Sequence, residues 1–317
     1  MTKTKMSTAF RELLASGKVI VKPGAHNALS ARIIEAAGFE SLGVSGYAVS
    51  ATLLGKPDCG LVTADEMVMV SRYIAAAVDI PAIADADTGY GNAINVMRTV
   101  EDFIRAGVAG IHMEDQVAPK RCGHVAGKQI IPLEEAVGKY RAAAKVRDEM
   151  DPDFVLIART DARGVAGGTV EDTIERAKAY VDAGVDMVFP EGLTSKEELA
   201  QVCDAVDTKI HYNRTGVSPM LTLDELNELG VSMVSFATGA LRSSARAMWD
   251  FMHDFKDRDV EAQKAFLAEV VDHPVGDFHG FMGFDTLREL EEEFLPTAEL
   301  LAKYEGSVGY QPPSAAE

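Results

Sequence analysis

Arg105-Ala106-Gly107-Val108-Ala109-Gly110-Ile111-His112-Met113-Glu114-Asp115-Gln116 decides the fold of this chain. It reads as a helix end, a glycine, a short apolar run and an acidic stop. The glycine suits the position after a helix, where φ turns positive, and the apolar run fits a strand buried on both faces. The same step recurs three times. Ala36-Ala37-Gly38-Phe39 precedes LGVSG, Asp182-Ala183-Gly184-Val185 precedes MVFPEG, and Glu228-Leu229-Gly230-Val231 precedes MVSFATG. The intervals are unequal, so this is a recurring αβ unit rather than a repeat of fixed period.

Working outward, four more apolar runs meet polar residues. Val19-Ile20-Val21 leads to Pro23-Gly24-Ala25, Ala82-Ile83-Ala84 to Asp85, Val155-Leu156-Ile157-Ala158 to Arg159, and Lys209-Ile210-His211-Tyr212 to Asn213. About eight strands alternating with helices predict an α/β fold, a (β/α)8 TIM barrel, over residues 1–240. A doubly wound open sheet is the rival, but no G-x-G-x-x-G follows the first strand, so a dinucleotide site has no support. An amphipathic helix is expected at about Ser7 to Ser16. Residues 241–305 read as a C-terminal helical extension, with a helix from Ser243 to Phe255, a charged break at Asp254 to Asp259, a Gly- and Phe-rich docking run from Val275 to Phe284, and an acidic helix over about Thr286 to Lys303. These helices exceed what one barrel needs and suit exchange between subunits. Residues 306–317 read as a disordered tail.

The formal charge of -18 argues against a nucleic acid partner and against an anionic membrane surface. No run approaches ~18 apolar residues and no secretory h-region follows Met1, so a cytoplasmic protein with no membrane partner is expected. Cys59, Cys122 and Cys203 are odd in number and widely spaced, which indicates neither a disulfide framework nor a cysteine zinc site.

In a barrel, polar residues at the C-terminal strand ends build the site. Here they are Ser45-Gly46-Tyr47, Asp85-Ala86-Asp87, Glu114-Asp115, Arg159-Thr160-Asp161, Glu191-Gly192 and Asn213-Arg214-Thr215. Asp85 and Asp87, two apart on a strand, would face one side, and with Glu114 they offer the hard oxygens that Mg²⁺ or Mn²⁺ takes. The plainer reading is a pair of solvated loop acids. Arg159, closing an apolar strand, serves either a ligand or a structural ion pair with Asp161 or Glu191. After the fourth strand comes Lys120-Arg121-Cys122-Gly123-His124. Cations and an imidazole around Cys122 favour partial thiolate, and Gly123 lets the loop close over a ligand. His124 is either a proton carrier or a hydrogen-bond partner of a neighbouring acid.

The motifs SGYAVSATLLGKPDCG (Ser45 to Gly60), ADADTGYG (Ala84 to Gly91), EDQVAPKRCGH (Glu114 to His124), ARTDA (Ala158 to Ala162) and FPEG (Phe189 to Gly192) follow one another along the chain in the order of a known family. The chain resembles the isocitrate lyase and phosphoenolpyruvate mutase superfamily, and within it the cysteine-containing carbon–carbon lyases of isocitrate, 2-methylisocitrate and 2,3-dimethylmalate. The resemblance implies an Mg²⁺-dependent barrel, a homotetramer with helix exchange, and a di- or tricarboxylate substrate. It implies Asp87 as direct metal ligand, with Asp85, Asp58 and Glu114 holding the metal's waters. Ser45, Gly46 and Arg159 would bind the 2-oxo acid half, and Cys122, with Lys120 and His124 beside it, would protonate the dicarboxylate half. Tyr47, Gly123, Glu191, Asn213 and Thr215 complete the expected substrate contacts.

Two departures leave the substrate open. Tyr47 stands where methylisocitrate lyases have glycine. The segment from Tyr212 to Pro219 is short and lacks a glutamate found there in the methylisocitrate and dimethylmalate types. Cleavage of isocitrate or 2-methylisocitrate to succinate plus glyoxylate or pyruvate is the expected reaction. A dimethylmalate-type lyase or an oxaloacetate hydrolase is the alternative. A phosphonopyruvate enzyme is disfavoured by Cys122, and a non-catalytic barrel by the intact set of Cys122, Asp87 and Arg159.

Overall fold

The computed structural model describes residues 5–214 and 216–310, apart from the side chain of Leu301. Thr215 and residues 311–317 lie outside the described residues. The chain divides into two compact units, residues 1–243 and 244–317.

Eight parallel strands close the first unit into the expected barrel: β1 (Ile20–Ala25), β2 (Leu42–Val44), β3 (Ala82–Asp85), β4 (Gly110–Glu114), β5 (Val155–Thr160), β6 (Met187–Pro190), β7 (Lys209–Asn213) and β8 (Val231–Phe236). Gly107, after the helix Ala93–Ala106, has φ 85° and passes its N–H to the Ile104 carbonyl. The other three glycines of the recurring step, Gly38, Gly184 and Gly230, share the left-handed conformation. Between strands and outer helices lies a large apolar layer that includes Leu42, Phe103, Ile111, Leu156 and Tyr180.

A second cluster fills the barrel interior. Ile20, Ile83, Ile157, Met187, Phe189 and Met233 point inward and meet Phe10 and Leu14 of the first helix, Met6–Ala15. That helix closes the mouth at the N-terminal strand ends. Arg11 pairs with Asp186 at 2.7 Å, and Lys209 Nζ donates to the Leu14 carbonyl at 2.8 Å. The C-terminal strand ends are left for chemistry, as barrels generally arrange.

The second unit is helical, and its details differ from expectation. The helix Gly239–Arg258, which begins in the first unit, starts earlier than Ser243 and continues through the expected charged break. Its acidic and basic residues pair four apart, as Arg258 does with Asp254, which supports a helix on an exposed face. The break falls at Asp259, with φ 49°, and Val260–Val270 follows. In the Gly- and Phe-rich run, Phe278–Met282 forms a short helix. The expected single helix over Thr286 to Lys303 is two, Phe284–Phe294 and Thr297–Tyr304, because Pro296 forces Leu295 into an extended conformation. Of the expected disordered tail, Tyr310 donates to Asp285 at 3.1 Å, so residues 306–310 do not fit that description. Among the described residues no helix is long and apolar enough to cross a membrane.

Candidate active site

Strand register assembles the site. Continuing the inward alternation of Ile20, Ile83, Ile157 and Met233, the next inward residues are Lys22, Asp85, Arg159 and Ser235. His112, in register with Asp85, and His211, hydrogen-bonded to Ser235, join this layer. Above it lies a cavity of about 520 Å³ lined by Ser45, Tyr47, Asp58, Asp85, Cys122, Gly123, His124, Arg159, Glu191 and Asn213, all expected site residues. Arg214, Arg242 and Phe236 also face it.

Asp85 is fully engaged. It accepts from the Gly46 and Asp87 N–H groups at 3.2 and 3.0 Å and lies 3.4 Å from His112 Nε2. Gly46 is obligatory, since a Cβ there would stand 2.6 Å from the Asp85 carboxylate. Burial pushes the Asp85 carboxyl up, but His112, Lys120 and Arg159 overcome it and hold the carboxyl well below the usual range. Burial lowers the His112 pKa, against the raising effect of Asp85.

The expectation that Asp85 and Asp87 share one face of a strand needs correcting. The strand ends at Asp85, and Asp87 lies beyond it with φ 45°. Asp87, Glu114 and Lys120 do not line the cavity but sit behind its wall. Lys120 Nζ is 2.7 Å from Asp58 and 3.0 Å from Asp87, and Glu114 pairs with Arg159 at 3.2 Å. Among the described residues no three carboxylate, imidazole or thiol groups form a ready metal cage, so the expected convergence of Asp85, Asp87 and Glu114 is looser than foreseen.

The donors still fit a hard divalent cation. Four carboxylates surround Lys120 and Arg159, and Arg159 is also claimed by Asp161. Glu114 Oε1 is buried without a partner. Burial drives Asp87 up to about 6, with Asp85 and Asp58 adding to it against Lys120, which is the crowding a cation relieves. Mg²⁺ keeps several waters, so it does not require three protein ligands in contact.

The cysteine loop is tied down at several points. Gln116 bonds the Arg121 backbone in both directions at 2.9 Å, and the Cys122 N–H donates to the Asp58 carbonyl at 3.2 Å. Gly123 packs so tightly that a Cβ would be 2.4 Å from Arg159 Nη2 and 2.9 Å from Glu191 Cγ. Partial thiolate is the wrong state for Cys122. Burial raises its pKa, and Asp58 raises it further, against the His124 N–H, Arg159 and Lys120. Proximity to cations in sequence says nothing about desolvation, and desolvation dominates here. His124 Nδ1 lies 3.7 Å from Glu191, and Asn213 Nδ2 reaches His124 Nε2 at 3.4 Å and Glu191 at 3.2 Å. His124 therefore lies beside an acid without hydrogen-bonding to it through Nδ1, which is compatible with both readings.

Arg159 makes the ion pair foreseen as its structural alternative, donating to Asp161 at 2.9 and 3.1 Å, yet it also lines the cavity. Sequence reading missed the supports. Asp161 is fully buried and also takes Lys128 at 2.8 Å, while its N–H donates to Asp115 at 2.9 Å. Asp115 in turn accepts from Thr160, Tyr180 and Arg176.

Known proteins resemble this chain over most of its length. A family model described as phosphoenolpyruvate phosphomutase matches residues 10–256. The chain is 41% identical over 295 residues to 2,3-dimethylmalate lyase of Eubacterium barkeri, covering 91% of this chain and 99% of that protein. It is 39% identical over 300 residues to 2-methylisocitrate lyase of Aeropyrum pernix, covering 94% of each. A crystal structure of 2,3-dimethylmalate lyase superposes with a TM-score of 0.86 at 34% identity, over 97% of this chain and 99% of the other. The chain belongs to the phosphoenolpyruvate mutase and isocitrate lyase superfamily.

Proposed function

We propose that this protein is an Mg²⁺-dependent carbon–carbon lyase that cleaves a 2-hydroxy acid of the isocitrate or 2-methylisocitrate type to succinate and glyoxylate or pyruvate. The observation that carries this is the Cys122 loop packed through Gly123 onto Arg159 and Glu191, in the cavity that Asp85 and Asp58 share. Asp87, with Asp85, Asp58 and Glu114, would hold the metal, which supplies Lewis-acid polarisation of the hydroxyl and carboxylate oxygens. Arg159 and Ser45 would orient the oxo-acid half. When the carbon–carbon bond breaks, its electron pair stays on the dicarboxylate half as an aci-carboxylate. The hydroxyl proton passes to a carboxylate or water of the cavity acting as base, and the hydroxyl carbon becomes the carbonyl of the oxo acid. The Cys122 thiol, protonated because it is buried, gives its proton to the aci-carboxylate carbon. Asn213 and His124, held at Glu191, would bind the succinate carboxylates.

A smaller substrate of the 2,3-dimethylmalate kind, or oxaloacetate, is the second reading. Tyr47 at the cavity wall, a bulky residue beside the substrate space, favours it. Incubation with Mg²⁺ and isocitrate, 2-methylisocitrate, 2,3-dimethylmalate or oxaloacetate, with glyoxylate and pyruvate quantified separately, tests both. Faster turnover of the smaller acids would replace the tricarboxylate reading. The proposal includes a homotetramer. The exposed apolar side chains of the C-terminal helices support it, among them Trp249 at 67% and Phe294 at 71% exposure. Sedimentation as a monomer would contradict that part.

A further inference from the structure

The proposed reaction gives Lys22, a buried charge in the cavity, no task. Lys22 lies two residues after the inward-facing Ile20 on β1, so it too points inside the barrel. It is 4% exposed and lines the cavity. Its stem crosses Gly43 closely, since a Cβ there would be 3.3 Å from Lys22 Cε. Among the described residues its ammonium has no hydrogen bond and no ion pair. Burial lowers its pKa to about 8, and the carboxylate that acts against this is Asp85, whose oxygens are already taken by Gly46, Asp87 and His112. His112 and His211 share the layer, and burial lowers the pKa of both, so neither is an anionic partner. Their Nδ1 atoms are also buried without partners.

A buried ammonium is costly unless a counter-charge meets it. Nothing in the fold meets this one, and it borders the space where the substrate would enter. We infer that Lys22 is an anion-binding residue at the cavity floor and takes a carboxylate oxygen of the 2-oxo acid half of the substrate. This rests on the oxo-acid reading of the cavity. It adds a second cation to Arg159 and gives the site a preference for substrates whose reacting end carries a carboxylate.

Oxalate is the probe, a planar dianion with the oxygen arrangement of an oxo-acid enolate. Calorimetric titration in the presence of Mg²⁺ compares wild type, Lys22→Met and Lys22→Arg, with melting curves of the free proteins. The inference expects Lys22→Met to bind oxalate at least tenfold more weakly, to raise KM more than it lowers kcat, and to melt no lower than wild type. Lys22→Arg recovers part of the affinity. Unchanged oxalate affinity in Lys22→Met, or a lowered melting temperature showing a structural role, overturns it, as does a wild type that does not bind oxalate. Wild type that binds oxalate through Lys22 but cleaves no 2-hydroxy acid would overturn the proposed reaction and leave the Lys22 assignment standing. Wild type that cleaves normally, with oxalate binding indifferent to Lys22, would do the reverse.

Discussion

Lys128 Nζ lies 2.8 Å from Asp161 Oδ1 and 2.6 Å from the Gly123 carbonyl, with both the ammonium and the carboxylate almost wholly buried. Asp161 also holds Arg159. One carboxylate therefore fixes both the cation expected to orient the oxo acid and the loop that carries the proton donor. Burial pushes Asp161 up, but Arg159 and Lys128 bring it down to about 2, so it is anionic at any pH of interest.

Lys128→Met should lower kcat on the order of 10²-fold, the scale of a misplaced reacting group, while Mg²⁺ affinity is kept. It should also destabilise the protein, because buried Asp161 keeps Arg159 but loses the second of its two cations. Steady-state kinetics and denaturant melts check this. Iodoacetamide should label Cys122 faster in the variant, since the loop loses its anchor. Normal kcat would show that the loop is set by Gln116 alone.

The raised thiol pKa of Cys122 fixes the sign of a pH effect. The protonated thiol is the active form, so activity persists while it keeps its proton and falls as pH rises through its pKa. That pKa lies above the ordinary thiol value, because the group is buried. The alkaline limb of kcat/KM should fall above the range of an ordinary thiol, and the pH dependence of Cys122 alkylation should give the same value. A limb near neutrality that disappears in Cys122→Ser would mean that the thiolate is the working form.

Asp87→Ala should abolish Mg²⁺ dependence together with activity, because Asp87 is the proposed direct ligand and its removal leaves the proposed site with three carboxylates, of which Lys120 engages Asp58 and Arg159 engages Glu114. Melting temperatures with and without Mg²⁺ check binding apart from turnover. Substantial metal-dependent turnover would move the direct ligand to Asp85 or Glu114.

The barrel was legible because each unit announces itself locally. Gly107 ends a helix, an apolar run crosses the barrel, and a polar residue such as Glu114 stops it. The same logic placed Cys122, His124, Arg159, Glu191 and Asn213 around one cavity without coordinates. What failed depends on distance and burial. The loop lysine Lys128 has no local pattern that separates it from a solvated one, yet it pairs across 33 residues with Asp161. Partial thiolate at Cys122 was inferred from neighbours in sequence, where desolvation cannot be read. Lys22 could have been found, because a charge at the inward register of an apolar strand is a signal in itself.

The most direct measurement is the stoichiometry of products from wild type and Cys122→Ser with saturating Mg²⁺. The account predicts one oxo acid released per dicarboxylate formed by wild type, with EDTA stopping both. It predicts that Cys122→Ser, folded and still binding Mg²⁺, cleaves ~10²-fold or more slowly, the loss expected for a positioned acid. An unimpaired Cys122→Ser enzyme, or turnover of phosphonopyruvate in place of any 2-hydroxy acid, would contradict it.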